Sequence, residues 1–234
     1  MKEIIHEYMQ ENQSDWWMNG RIAIVLELLS KYSRKSDSII DIGAGTGIIC
    51  ENLQNAGYKD ITAVDNSETA LKILISKHIN TIKGKLPKLE IHGQYNFALL
   101  LDVLEHIKKD VETLNSIYDK LNDNGKILIT VPAFMFLWTP KDNDLGHFRR
   151  YTKSTLLNVI KNTQFKVEFI SYYNFFLFLP ALIYILKNKK TTKTPRYSKS
   201  RDKLFTPIFK FEKHFLKNGI KFPFGVSLIC ILKK

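Results

Sequence analysis

Ile39-Ile40-Asp41-Ile42-Gly43-Ala44-Gly45-Thr46-Gly47 is the stretch that decides the fold of this 234-residue chain. Its apolar start predicts a short strand. Its alternate glycines predict a tight loop, because glycine adopts positive φ and has no Cβ. The stretch from Thr46 to Asn55 predicts a helix, whose first N–H groups would point at a ligand in the loop. The next strand, 60–64, is followed by Asp65, where an acid can hold ribose hydroxyls. We therefore expect a nucleotide-type binding site.

The spacing of the glycines separates two classes of ligand. A dinucleotide fingerprint reads G-x-G-x-x-G, whereas this loop reads G-x-G-x-G, with Ile48 where the third fingerprint glycine would fall. Asp41 precedes the loop, and an acid there repels a pyrophosphate and attracts an ammonium group. The motif resembles the cofactor loop of class I S-adenosylmethionine-dependent methyltransferases, whose ligand carries an ammonium, a sulfonium and a ribose.

Strands alternate with helices along most of the chain. The apolar runs 97–101 and 127–131 are typical of strands buried on both faces, as in a parallel sheet. The predicted elements are, in order, helix 18–32, strand 38–42, helix 46–56, strand 60–64, helix 67–77, strands 80–83 and 97–101, helix 109–122, strand 126–131, helix 153–163 and strand 166–172. This alternation predicts a doubly wound α/β sheet with its ligands at the carboxyl ends of the strands.

One more apolar strand is predicted at 225–232. Class I methyltransferases close their sheet with a seventh, antiparallel strand, which pairs with the sixth through a hairpin. About fifty residues separate the two strands here, whereas a hairpin loop usually has about 2 to 5 residues. We therefore expect one seven-stranded Rossmann-like domain over 1–234. Its predicted parts are N-terminal cap helices at 1–35, a cofactor-binding core at 36–172, a basic and apolar helical insertion at 173–222 and the final strand at 223–234.

The insertion has two helical parts. Residues 175–186 are apolar apart from one proline, but a twelve-residue helix is about 18 Å long and a membrane core is about 30 Å thick, so it cannot span. Residues 203–217 predict an amphipathic helix with lysines on one arc, which is typical of a membrane interface. We expect peripheral membrane association through 173–217. The alternative is a lid or dimer helix, and Glu212 on the apolar arc favours it.

The net charge of +12 is confined to one part of the chain. Residues 187–234 hold fourteen Lys and Arg against two acids, so residues 1–186 are neutral overall. Charge confined to an appendage favours a docking element over a domain that binds nucleic acid. Two cysteines, Cys50 and Cys230, exclude a disulfide framework, and the first twenty residues lack an apolar signal core. We expect a cytoplasmic protein, at the inner face of the membrane if the insertion binds lipid.

Several segments resemble one group of bacterial class I methyltransferases. These segments are Trp16-Trp17 with Gly20-Arg21, the glycine loop, Asp102-Val103-Leu104-Glu105-His106, Val131-Pro132-Ala133 with Leu137-Trp138, Gly146-His147-Phe148-Arg149-Arg150-Tyr151, and Pro223-Phe224-Gly225-Val226-Ser227. The resemblance covers nearly the whole chain, and its combination of segments is more specific than any one of them. It implies a methyltransferase but does not identify the methyl acceptor.

The resemblance also implies which residues bind S-adenosylmethionine and its product S-adenosylhomocysteine. In the resemblance, Asp41, Gly43, Gly45 and Gly47 hold the methionine part of the cofactor and Asp65 holds its ribose. Asn66 contacts the adenine edge, and Asp102 contacts the far side of the cofactor. Ala44 and Val103 complete the predicted binding residues. Lys85 departs from the pattern, because many relatives have an acid there that accepts from the adenine amino group. A lysine cannot accept a hydrogen bond, so we expect weaker cofactor affinity.

Methyl transfer to a hydroxyl needs alignment and a general base, for which histidine is best suited near pH 7. The catalytic candidates are His147, which lies in an arginine-rich loop, and then His106. The alternative for each is a structural hydrogen bond. The predicted acceptor-binding residues are Trp17, Arg21, Trp138, Arg149, Arg150 and Tyr151. The alternative is a surface ion pair for Arg149 and Arg150 and plain packing for Trp138 and Tyr151. Asp142, Asp144 and His147 could ligate a divalent cation, but no metal is expected.

Four functions remain open from the sequence. The first is O-methylation of an envelope, lipid-linked, glycan or small anionic acceptor, and the second is methylation of a quinone-type small molecule. The third is RNA methylation using the basic tail, which the sequence disfavours because residues 102–105 do not resemble the N-P-P-Y segment of exocyclic-amine methyltransferases. The fourth is a membrane-associated protein that binds the cofactor without catalysis.

Overall fold

The computed structural model describes residues 16–187 and 199–234. In this part of the chain seven strands form one sheet: β1 (Ile39–Ile42), β2 (Ile61–Asp65), β3 (Asn80–Lys83), β4 (Tyr95–Leu101), β5 (Leu121–Pro132), β6 (Lys166–Tyr173) and β7 (Ser227–Lys233). Their spatial order is β3-β2-β1-β4-β5-β7-β6. Strand β7 runs antiparallel between β5 and β6, and the other pairs are parallel. The predicted sheet with its antiparallel last strand is confirmed.

Helices and short turns connect the strands. The described helices are α1 (Trp16–Tyr32), α2 (Ile48–Asn55), α3 (Glu68–Ser76), α4 (Asp110–Tyr118), α5 (Pro140–Asp144), α6 (Lys153–Lys161), α7 (Phe178–Lys187) and α8 (Lys199–Lys217), with 3-10 turns at Leu104–His106 and Met135–Leu137. Helix α4 ends earlier than the predicted 109–122. The reason is that Leu121 already pairs with Tyr95 at the start of β5.

Both faces of the sheet are covered, as the apolar strands predicted. Successive strand residues belong to opposite cores, so that Ile39 packs on one side and Ile40 on the other. The core on the side of Ile40 includes Leu114 of α4 and Leu156 of α6. The core on the side of Ile39 is covered by α1, α2, α3 and α8, with contributions from Ile24, Leu28, Leu53, Leu74, Phe209 and Leu216. Because the strands from β1 to β5 are parallel, their carboxyl ends share one edge of the sheet. Helices cover the two faces, so this edge is left to the connecting loops.

The predicted amphipathic helix of the insertion is α8, and it packs on α1 in the same chain. Its residues Phe209 and Leu216 are buried, as is Glu212, whose carboxylate accepts hydrogen bonds from the N–H groups of Asn174 and Phe175. Burial raises the pKa of Glu212 to about 7, against the effect of these hydrogen bonds. The arc expected to enter a membrane interface is thus partly used for intramolecular packing.

The lysine arc of α8 is also partly paired within the chain. Lys213 Nζ lies 2.9 Å from Glu27 Oε2, and Lys217 Nζ lies 2.5 Å from Glu27 Oε1. This pairing gives both lysines contacts within the chain, and membrane association through 173–217 stays a prediction. The remaining N-terminal cap, residues 1–15, and the basic stretch 188–198 lie outside the described residues.

Helix α7 presents an apolar face to solvent instead. Leu179, Ile183 and Leu186 are 62%, 45% and 56% exposed. Their spacing of four and three residues places them on one side of the helix. The neighbouring turn adds Met135 and Phe136, which are also exposed. We call these five residues the apolar surface. Within the described ranges, no helix is long and apolar enough to cross a membrane.

Gly20 allows α8 to approach α1 closely, and its replacement is the test of this contact. A Cβ at Gly20 would lie 2.3 Å from the ring of Phe209. Alanine in place of a helical glycine ordinarily stabilises by roughly 0.5–1 kcal/mol. Because of the ring, we expect Gly20→Ala to lower the free energy of unfolding by about 1–3 kcal/mol in urea titrations.

The matched background is Phe209→Ala, which removes the ring. In that background we expect Gly20→Ala to be neutral or stabilising. If Gly20→Ala stabilises the otherwise unchanged protein, the close packing of α8 on α1 is refuted.

Candidate functional site

The loop between β1 and α2 has a backbone that only glycine adopts easily. Gly43, Gly45 and Gly47 have φ values of 81°, 56° and 78°. A Cβ at Gly43 would lie 2.6 Å from Val103 Cγ2, and one at Gly47 would lie 2.7 Å from Leu74 Cδ2. The glycines are therefore required by conformation and by space, and the loop presents bare backbone to the carboxyl edge of the sheet.

Asp65, at the end of β2, is fixed by this loop and by the start of α3. Its Oδ2 accepts from the N–H of Gly45 at 3.0 Å, and its Oδ1 accepts from the N–H of Ser67 at 2.9 Å. Ser67 in turn caps α3 by accepting from the N–H of Ala70. The carboxylate is thus held at the carboxyl edge of the sheet, and its contact with a ribose stays a prediction.

A cavity of about 720 Å³ opens beside this loop. Such a volume is within the usual range of small-molecule sites, about 300–1,000 Å³. Six of the predicted cofactor residues line it: Gly43, Gly45, Asp65, Asn66, Asp102 and Val103. The other three predicted cofactor residues, Asp41, Ala44 and Gly47, do not line the cavity. Lys85 also lines the cavity, together with Leu86, Pro87, Leu89 and Phe148.

Asp41 is buried under the loop. Its carboxylate accepts a hydrogen bond from Cys50 Sγ at 3.4 Å and is 3% exposed. Burial raises the pKa of Asp41 to about 7, partly offset by the hydrogen bond from Cys50. A cation near the loop would favour the ionised form of this group.

Asp102 follows β4 in a left-handed backbone conformation, with φ of 53°. Its carboxylate forms an ion pair with Arg21 of α1, whose Nε also donates to Tyr173 Oη at 3.2 Å. Arg21 was predicted to bind the acceptor, and the structure joins it to Asp102 and Tyr173. The pair links α1 to the edge of the cavity.

Three titratable residues meet beside the cavity, and we call Glu105, His106 and His147 the histidine cluster. One donor atom from each lies within 4.8 Å of the other two. The imidazole centroids of His106 and His147 are 4.6 Å apart, edge to face. Glu105 is 1% exposed, and neither carboxylate oxygen has a hydrogen-bond partner among the described residues. Burial raises the pKa of Glu105 to about 8.

Asp142 orients His147. Its Oδ1 lies 2.9 Å from His147 Nδ1 and accepts from Arg150 Nε at 2.8 Å, while Oδ2 accepts from the N–H of Thr139 at 2.8 Å. Burial would raise the pKa of Asp142, but the hydrogen bonds from His147 and Arg150 hold it well below its usual range. With Nδ1 used by Asp142, His147 directs Nε2 to the other members of the cluster.

His106 is held by the loop that follows α5. Its ring is hydrogen-bonded to the backbone of Leu145 and Gly146, which was the structural alternative considered for this residue. Burial and the neighbouring His147 lower the pKa of His106 to about 4 despite these bonds. His106 is therefore a neutral imidazole at pH 7, and it also lines the cofactor cavity.

The side chains of the arginine segment have partners within the chain. Arg149 donates to Asp110 Oδ2 at 2.6 Å and to the carbonyl of Lys108 at 2.9 Å. Arg150 is paired with Asp142, and Tyr151 is 1% exposed with its hydroxyl 3.3 Å from Asp110. These contacts hold the loop in place, and a role of the three residues in binding the acceptor stays a prediction.

Of the two tryptophans predicted to bind the acceptor, only Trp138 has a described side chain. Trp138 Nε1 donates to Asn143 Oδ1 at 3.1 Å, and its ring centroid lies 6.4 Å from that of His147. A role for Trp138 beside the acceptor stays a prediction. The side chain of Trp17 lies outside the part of the chain that the structure describes.

Glu105 is the site residue that the sequence analysis missed. It directly precedes His106 in the segment after β4, and an acid adjacent to a candidate histidine was the available signal. Its burial could not be read from the sequence. Asp142 was considered as a metal ligand, whereas its oxygens are used by Thr139, His147 and Arg150.

Known proteins resemble this chain in sequence and in fold. Residues 14–169 match the family described as a methyltransferase domain. Over 167 residues the chain is 26% identical to ubiquinone biosynthesis O-methyltransferase of Rickettsia bellii, covering 62% of this chain and 68% of the relative. An S-adenosylmethionine-dependent methyltransferase from Mesorhizobium loti has a TM-score of 0.59 and 14% identity, over 88% of this chain and 96% of that one.

A third likeness is to a structure that contains the cofactor. Phosphoethanolamine N-methyltransferase 2 of Haemonchus contortus, in complex with S-adenosyl-L-methionine, has a TM-score of 0.60 at 16% identity, over 90% of this chain and 52% of that one. The family match covers about two thirds of the sequence, and the strand order and glycine loop agree with it. The chain therefore belongs to the methyltransferase-domain family and is a class I S-adenosylmethionine-dependent methyltransferase.

Proposed function

We propose that this methyltransferase transfers its methyl group to a hydroxyl of a lipid-linked or quinone-type acceptor at a membrane surface. The observation that carries the proposal is the position of the histidine cluster beside the cofactor cavity, which His106 lines. A hydroxyl becomes a nucleophile when it loses its proton. Among the protein's own side chains, His147 is the base that we propose to accept this proton, because Asp142 orients its ring.

The two arginines of the loop that carries His147 are not available to a strongly anionic acceptor. Arg149 and Arg150 are each paired with an aspartate, so neither is free to neutralise a phosphate or a carboxylate. Phe148, at the cavity wall, is 47% exposed. An apolar acceptor with a neutral hydroxyl fits these residues better than the small anionic acceptor considered from the sequence. The name of the Rickettsia bellii relative, an O-methyltransferase of ubiquinone biosynthesis, supports the same chemistry.

Membrane association is proposed through the apolar surface rather than through α8. Phe136 and Phe178 are in edge contact at 6.3 Å, which connects the exposed turn to α7. Lys187, at the end of α7, supplies positive charge beside this face. Each lysine or arginine near anionic lipid contributes about 1 kcal/mol. A lipid-linked acceptor could then be reached while its chain stays in the bilayer.

Cofactor affinity should depend on pH through Asp41. Its buried carboxyl has a pKa of about 7, and the cofactor ammonium requires the ionised form. Calorimetric titration with S-adenosylhomocysteine should therefore show affinity rising up to about tenfold per pH unit below pH 7 and levelling above it. The ligand amino group stays protonated over this range, since its pKa is about 8.

Asp41→Asn should bind more weakly and with no such dependence on pH, while the exposed Asp60→Asn should behave as the wild type. A flat affinity between pH 5.5 and 7.5 in the wild type would show that Asp41 does not receive the ammonium.

Activity should depend on His147. Labelled methyl transfer from S-adenosylmethionine into lipid, glycan and RNA fractions of a lysate identifies the acceptor class, and we expect label in the lipid fraction. With that fraction, His147→Ala should reduce kcat about 10²- to 10⁴-fold while leaving S-adenosylhomocysteine affinity unchanged. The exposed His92→Ala serves as the control. Full activity of His147→Ala would remove its proposed role, and label confined to RNA would contradict the proposed acceptor.

Membrane binding should depend on α7. Flotation with vesicles that contain anionic lipid should be lost in the double variant Leu179→Glu, Ile183→Glu, because two charges replace the apolar face. Ile75→Glu is the matched control, since Ile75 is 63% exposed on α3, outside the apolar surface. Equal flotation of the α7 variant and the wild type would contradict this proposal.

A further inference from the structure

We propose that the histidine cluster binds a divalent transition-metal cation, with Glu105, His106 and His147 as its protein ligands. The cation site itself is independent of the proposed function. Only the role of the cation in methyl transfer rests on the proposed O-methylation. It revises the expectation from the sequence that no metal is bound.

The donor set suits such an ion. Two imidazoles and one carboxylate hold Zn²⁺ in catalytic sites and Fe²⁺ in facial triads, with further positions left open. Donor atoms on a common ion at about 2.1 Å lie roughly 3–4 Å apart. The three donors here lie within 4.8 Å of one another, so the longest separation needs to close by at most about 1–2 Å.

The environment of Glu105 also favours a bound cation. Its side chain is buried, and neither oxygen has a hydrogen-bond partner within the described ranges. The nearby cations Arg21 and Arg150 are already paired with Asp102 and Asp142, so their charges offset the burial of Glu105 only in part. A buried carboxylate without a partner is costly, whereas coordination of a cation satisfies both its charge and its lone pairs.

The surroundings of the two imidazoles match those of metal-bound histidines. Such histidines usually use their second ring nitrogen to donate to a carboxylate or a backbone carbonyl, which fixes the ring. His147 Nδ1 lies 2.9 Å from Asp142, and His106 is hydrogen-bonded to the backbone of Leu145 and Gly146. The carboxylate of Asp142 thus fixes the His147 ring through Nδ1, and backbone groups fix the His106 ring.

The cation would lie at the edge of the cofactor cavity, because His106 contributes to the lining. If the proposed O-methylation is correct, the acceptor oxygen takes an open position on the cation, which favours its deprotonation, and the proton leaves to water. An oxygen lone pair then forms the new C–O bond, while the C–S bond breaks and its electron pair stays on sulfur. In this form of the site His147 is a ligand, and the cation assumes the activating role.

Direct binding to the full chain tests the site without any acceptor. Protein freed of metal with a chelator is titrated with MnCl₂, and free Mn²⁺ is followed by electron paramagnetic resonance; Zn²⁺ is measured by competition with a chromogenic chelator. We expect about one site per chain. Glu105→Gln and His147→Asn should each weaken binding at least about tenfold, and the exposed His92→Ala should not change it.

Retained S-adenosylhomocysteine binding shows that each variant is folded. Absence of Mn²⁺ and Zn²⁺ binding to a wild type that binds S-adenosylhomocysteine would overturn the proposal, as would binding that Glu105→Gln leaves unchanged. The two proposals fail separately. Methylation of a hydroxyl acceptor by protein that binds neither cation overturns the metal site alone. Binding of the cation without transfer to any hydroxyl supports the metal site and refutes the proposed O-methylation.

Discussion

The carboxyl edge of the sheet depends on the approach of Val103 to bare backbone at Gly43. A Cβ at Gly43 would lie 2.6 Å from Val103 Cγ2, so the loop after β1 and the segment after β4 fit together only because a side chain is missing. This contact places the cofactor loop against the segment that carries Asp102, Glu105 and His106. Parallel pairing of β1 with β4 brings both segments to the carboxyl edge, and the missing side chain at Gly43 lets the glycine loop lie directly against Val103.

Asp142 has a comparable role for the chemistry. It lies in the loop after β5, and it joins Thr139, His147 and Arg150 through one buried carboxylate. Because both oxygens are used, Asp142 is a positioning residue and not an open ligand. Arg150 is thus used to hold the loop. Glu105 is left as a buried carboxylate without a hydrogen-bond partner among the described residues.

The sequence predicted the parts of the structure that depend on local pattern. Alternating strands and helices and the positive-φ glycine loop are such features, and the antiparallel last strand followed from the resemblance. Contacts between distant residues could not be predicted, because no pattern specifies them. Lys213 and Lys217 appeared to form a lipid-facing arc until both were found on Glu27, in a helix far away in the sequence. Arg150 likewise appeared available, but the fold pairs it with Asp142.

A crystal structure of the protein with S-adenosylhomocysteine tests whether the cofactor cavity and the histidine cluster form one active site. We expect the amino-acid part of the ligand over Gly43 and Gly45, a ribose hydroxyl within hydrogen-bond distance of Asp65, and the sulfur facing His106. That arrangement would place the methyl group of the donor next to the histidine cluster. A ligand bound with its sulfur directed away from His106, or outside this cavity, would show that the cluster is not beside the reacting methyl group.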